Sequence, residues 1–127
     1  MRIFKTKSFT RVANKLSLND ADLCEAVASA EKGLIDADFG GGVIKQRIAR
    51  EGEGKSGGFR TIILLKSGER AVFVEAFAKN ERGNITKTEL KAFKQLAKVI
   101  LTFAEAEIAK SLAAGAFVEV FDEDDKN

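Results

Sequence analysis

Apolar positions follow a helical rhythm at both ends of this chain and a strand rhythm in its middle. Arg2-Ile3-Phe4 suits a short strand or docking segment, and Phe9, Val12, Ala13 and Leu16 then recur at the spacing of one helix face. A second helix is predicted from Asn19. This residue is an N-cap with Asp22 at N3, and Leu18 is placed to staple onto Leu23. Leu23, Ala26, Val27 and Ala30 form that helix's buried stripe, and Gly33 ends it. From Gly40 to Lys79 the pattern changes. Gly40-Gly41-Gly42 is a flexible entry, Val43 to Arg50 reads as a strand, and Glu51 to Gly58 as a Gly-rich turn. Phe59 to Lys66 and Arg70 to Lys79 are β-branched, Phe-rich runs, and the tight Ser67-Gly68-Glu69 link between them predicts an antiparallel hairpin.

Beyond a polar loop at Lys79 to Asn84, Thr86 and Glu89 have capping-box spacing for a third helix with the stripe Leu90, Phe93, Ala97, Ile100 and Leu101. Thr102 and Glu105 repeat that spacing. They predict a fourth helix running to Ala114 and stopping at Gly115, followed by an apolar run from Phe117 to Phe121. The expected fold is α+β: a small antiparallel sheet of three or more strands packed against two N-terminal helices, with additional C-terminal helices. With the helices on one face, the other face is expected to be open to a ligand or partner.

Composition narrows the function classes. The chain has 127 residues, 45% of them hydrophobic, which suits one domain over residues 1–121 whose C-terminal helices are an extension. The net charge of +2 hides a division between a basic centre and the acidic end Asp122-Glu123-Asp124-Asp125, so residues 122–127 are expected to be a disordered tail. The single cysteine, Cys24, has no internal disulfide partner. No signal peptide or long apolar run is recognisable, so a cytoplasmic location without membrane contact is expected. Histidine is absent, which removes the commonest general base and the commonest metal ligand. No tight carboxylate cluster lies near the basic strand, so neither a metal nor another cofactor is expected.

Alternation along the first central strand places Lys45 and Arg47 on one face, with Ile44 and Ile48 on the other. Two adjacent cations make an anion-binding surface, although in an arbitrary domain such a pair is more often a solvated face. Arg60 has Glu75 and Glu81 as ordinary ion-pair candidates. Ala49 to Ser56 imitates a nucleotide-binding P-loop with Ala in place of the first Gly, yet a strand-like run follows where a helix is required, so no nucleotide partner is expected. Lys87, Lys91, Lys94 and Lys98 line up along the third helix, as a solvent face or as an RNA or ribosome contact.

The order of these motifs resembles the RelE/ParE superfamily of bacterial toxins, nearer its RelE/HigB side. The resemblance rests on two N-terminal helices, Lys45-Gln46-Arg47 on a strand, and a Gly-rich turn closing in Gly58-Phe59-Arg60. A β-hairpin and Lys79-Asn80-Glu81 leading into a helix complete it. It covers about Phe9 to Leu96. It implies a small α+β toxin that cuts messenger RNA in the ribosomal A site and is silenced by an antitoxin, often a helix-turn-helix protein. The family's basic catalytic residues then fall on Lys45, Arg47 and Arg60. Two positions depart from the family: Asn80 stands where RelE has an arginine, and Thr86 where it has a tyrosine.

Cleavage by the RNA's own 2′-OH needs a proton acceptor, a stabiliser of the charge on the phosphorane, and a donor to the leaving 5′-oxygen. Guanidinium groups suit only the second task, by gripping phosphate oxygens through paired donors. Lys45, Lys79 and Glu81 are the candidates for proton transfer, and Arg50, Lys55, Asn80, Arg82, Lys87 and Lys91 are the expected RNA contacts. A non-enzymatic alternative is a ParE-like inhibitor of DNA gyrase, or a binding module that has lost catalysis.

Overall fold

Each helix begins where a side chain can take over donors that a first turn leaves unpaired. The computed structural model describes residues 1–50 and 54–121, with side chains described at 1–49 and 58–121. In α1 (Lys7–Leu16) the Phe9 N–H donates to Thr6 Oγ1 at 3.2 Å. α2 (Asp20–Glu31) and α3 (Lys87–Ile100) open on the two expected capping boxes, Asn19 with Asp22 and Thr86 with Glu89. α4 (Glu105–Ala113) differs from the expectation. Thr102 is spent on closing α3, donating to Lys98 O at 2.8 Å, so Ala104 is the N-cap and Glu107 accepts from its N–H at 2.9 Å.

Six strands form one sheet: β1 (Arg2–Thr6), β2 (Ala37–Asp38), β3 (Val43–Arg50), β4 (Gly54–Lys66), β5 (Arg70–Ala78) and β6 (Phe117–Val120). Their order is β2-β3-β4-β5-β1-β6. β2 to β5 form an antiparallel run, β1 joins β5 in parallel, and β6 closes the far edge antiparallel to β1. Backbone already enters β4 at Gly54, a strand where a P-loop would require a helix. Residues 51–53 of the P-loop-like stretch, like the acidic tail, lie outside the described residues.

Both faces of the sheet are covered, which corrects the expectation of one open face. On one side Ile44, Ile48, Ile63 and Phe73 pack with Phe9 and Ala13 of α1 and with Leu23 and Val27 of α2. On the other, Val43, Ile62, Leu64 and Val72 pack with Ala97 and Ile100 of α3 and Ile108 of α4. The apolar stripe of α3 needs a surface of its own, and the sheet's second face supplies it. Gly42 allows the close fit: its φ is +85°, and a Cβ there would stand 2.7 Å from Leu101 Cδ1 and 3.3 Å from Leu65 O. The C-terminal elements are tied in by Arg2, whose guanidinium forks onto Glu119 at 3.0 and 2.9 Å and reaches Glu105 at 2.9 Å. Arg70 donates to Ile100 O and Phe103 O at 2.8 and 3.1 Å, so it caps the end of α3.

Candidate functional site: a cation cluster around Asp36

α2 stops in a Schellman turn. Gly33 takes φ +84°, its N–H returns to Ala30 O at 2.9 Å, and the Leu34 N–H returns to Ser29 O at 3.0 Å. The chain then reaches Asp36 just before β2 pairs Ala37 with Lys45. Gln46, buried beneath this crossing on the α2 face of β3, holds it in place. Its Nε2 donates to Ala26 O and Leu34 O, both at 3.0 Å, and its Oε1 accepts from the Asp36 N–H at 2.9 Å. A buried amide satisfied at both ends fixes the backbone from which the Asp36 carboxylate projects.

That carboxylate is 12% exposed and meets three cations. Arg47 Nε donates to Oδ1 at 2.8 Å, Lys45 Nζ stands 3.8 Å from Oδ2, and Arg60 Nε stands 3.7 Å from Oδ2. Near a protein surface, opposite unit charges about 4 Å apart attract by roughly 4 kcal/mol before desolvation, enough to draw neighbouring cations together. The strands bring them into reach. Arg47 is directly opposite Arg60 across β3 and β4, and Arg60 is opposite Phe77 across β4 and β5, so the three side chains form one row on one face. Arg60 is buried, whereas the Arg47 side chain is 48% exposed. Among the described residues nothing accepts from the terminal nitrogens of Arg47. The cluster therefore combines two anchored cations with one guanidinium that is oriented through Nε and offers its outer edge to a ligand.

Arg82 continues the row. Its guanidinium lies over the Phe77 ring, 5.1 Å from the centroid, donates to Asn84 O at 2.8 Å and pairs with Glu89. The Glu89 carboxyl is held below its ordinary range, first by the Thr86 backbone N–H and then by Arg82. Lys79 and Glu81 follow β5 as exposed residues, without a side-chain hydrogen bond or ion pair among the described residues, so the structure does not draw them into the cluster. Asn80 is also exposed, as are Lys87 and Lys91 in the first turns of α3. The side chains of Arg50 and Lys55 lie outside the described residues.

Asp36 is the member that sequence reasoning missed. Its only local signal is a carboxylate one residue before a two-residue strand, and its meaning depends on the pairing of β2 with β3. Among the described residues no three His, Cys, Asp or Glu side chains come together as a metal site, and no helix is long and apolar enough to cross a membrane.

Fold and site together define a small α+β protein whose sheet carries an ordered cluster of cations. The family model described as the RelE toxin of the RelE/RelB toxin-antitoxin system matches residues 1–120. The chain belongs to this RelE toxin family, and as such is the toxin of a toxin-antitoxin pair. The match includes α4 and β6. No curated protein matches the chain.

Proposed function

We propose that this toxin is a ribosome-dependent endoribonuclease that works in the cytoplasm, cutting messenger RNA by attack of the 2′-oxygen on the neighbouring phosphorus. The observation that carries this reading is the convergence of Lys45, Arg47 and Arg60 within 4 Å of one carboxylate, with half of the Arg47 side chain still exposed. Cations preorganised around a partly buried anionic centre can stabilise the charge that builds on a phosphorane, and they need no reorganisation when it forms. In the reaction the 2′-OH loses its proton, the P–O5′ bond breaks, and the 5′-oxygen takes up a proton, leaving a 2′,3′-cyclic phosphate. Arg47 and Arg60 neutralise the phosphorane. Lys45, Lys79 and Glu81 are the groups available for proton transfer, and the ribosome supplies the bent RNA conformation that brings the 2′-oxygen into line.

Arg50, Lys55, Asn80, Arg82, Lys87 and Lys91 contact the RNA around this centre, Arg82 by continuing the row of cations. The antitoxin, a helix-turn-helix protein in this reading, silences the site by laying carboxylates over Arg47 and its neighbours. The test is induced expression without antitoxin, followed by mapping of messenger RNA ends. Growth arrest with new ends inside coding regions is the expected result. Arrest with intact messages would contradict the nuclease and favour an inhibitor such as one acting on DNA gyrase. A lysine base makes the cleavage rate climb between pH 6 and 9, and a carboxylate base leaves it flat.

A further inference from the structure

We propose that Asp36, buttressed by Gln46, is a positioning residue of the cation cluster: it sets the Arg47 guanidinium by its Nε and leaves the outer nitrogens to the scissile phosphate. The inference deepens the nuclease reading and rests on it for its kinetic arm. Three cations brought side by side on neighbouring strands repel one another, and without a counter-charge the exposed one would swing into solvent. Asp36 supplies that counter-charge from a fixed backbone, because Gln46 accepts from its N–H while donating to Ala26 O and Leu34 O of the preceding segment. Two details separate positioning from self-inhibition, in which the carboxylate would occupy the place of the phosphate. Asp36 binds Arg47 through Nε, at 2.8 Å, rather than through the terminal pair a phosphate would use. Its backbone is also pinned by a buried side chain, so it is not built to move aside for RNA.

The groove beside Arg47 is lined by Asp22 and Glu25 of α2 as well. The Glu25 side chain makes no hydrogen bond or ion pair among the described residues and serves as a charge control.

The experiment compares wild type with Asp36→Asn, Asp36→Glu and Glu25→Gln in two arms. The first follows the arginine Nε–Hε resonances of the free protein by NMR, which requires no nuclease activity. Arg47 should give a distinct, slowly exchanging signal in wild type and in Glu25→Gln, and lose it in Asp36→Asn. An Arg47 signal unchanged in Asp36→Asn would overturn the proposal. The second arm measures cleavage on purified ribosomes. For Asp36→Asn, kcat should fall at least about tenfold, roughly the effect of mispositioning a catalytic group, with KM changed by less than about threefold. Asp36→Glu should recover part of the loss, and Glu25→Gln should match wild type. Faster cleavage or tighter RNA binding by Asp36→Asn would identify Asp36 as a self-inhibitor and reject positioning. Absence of cleavage by wild type would remove the nuclease reading, and the NMR arm would still decide what Asp36 does to Arg47.

Discussion

Arg60 stands directly across the β3–β4 ladder from Arg47, and both guanidinium groups meet the same Asp36 carboxylate, at 3.7 and 2.8 Å respectively. Like charges opposite each other on adjacent strands are ordinarily destabilising. Here the arrangement stands because one anchored carboxylate is shared between them. The buried member has an unusual consequence for mutagenesis. Removing one member of a buried ion pair ordinarily costs about 3–5 kcal/mol because it strands the other member, but Asp36 keeps Lys45 and Arg47 as partners. Arg60→Met should therefore cost less than the roughly 3 kcal/mol usual for a broken buried pair, measured by urea denaturation, while removing a charge from the site.

Gly42 should be far less tolerant. A methyl group there would meet Leu101 Cδ1 at 2.7 Å on a backbone with φ +85°. Gly42→Ala combines left-handed strain with overpacking against α3, and a loss of at least about 2 kcal/mol is expected in the same assay. Gly40→Ala, with φ +80° and nothing within 4 Å of the added carbon, is the control for strain without overpacking.

α4 belongs to the core rather than lying on its surface. Ile108 is fully buried beneath the sheet face that carries Val43, Ile62 and Phe117. Ile108→Ala should cost about 2–5 kcal/mol, the range for emptying a buried aliphatic site. A loss under about 1 kcal/mol would show that α4 can lift off without disturbing the sheet.

Acid should weaken the protein through two carboxylates outside the cation cluster. The Glu31 carboxyl is held below its ordinary value of 4.5 by the Ser67 hydroxyl and then by the Gly68 N–H. These contacts tie the end of α2 to the β4–β5 turn, at 2.6 and 2.7 Å. Glu89 is held low by Thr86 and Arg82. For a group whose folded pKa is depressed, the unfolded chain binds more protons in the window between the two values. Its contribution is therefore complete above about 4.5 and is lost as pH falls through the folded values. The urea midpoint should decline below pH 4.5, and Glu31→Gln should make that decline shallower. Both groups are at least partly exposed, so each effect should be modest and reduced by salt.

What could be read from the sequence was local. The capping boxes at Asn19/Asp22 and Thr86/Glu89 formed as expected because their partners lie within one turn. The β4–β5 hairpin formed at Ser67-Gly68-Glu69 because three residues, one of them Gly68 at φ +75°, leave few other geometries. The Thr102/Glu105 spacing misled because Thr102 had a second use open to it, bonding back to α3. Sheet order was not legible: the parallel pairing of β1 with β5 and the docking of β6 on β1 join segments far apart in sequence. The cluster lies between these cases. Lys45 and Arg47 follow from alternation along one strand, and Arg60 was named for its place in a motif. Asp36 depends on a crossing that only the folded chain creates.

Cleavage of a defined messenger RNA programmed in the A site of purified ribosomes, by wild type, Arg47→Ala and Arg60→Met, decides whether the cation cluster is catalytic. Cleavage by wild type is expected, with a fall of about 100- to 1,000-fold in each variant, the usual effect of losing one preorganised charge stabiliser. Undiminished cleavage by both folded variants would contradict a catalytic role for the cluster around Asp36, and intact RNA with active ribosomes and folded wild type would contradict the nuclease itself.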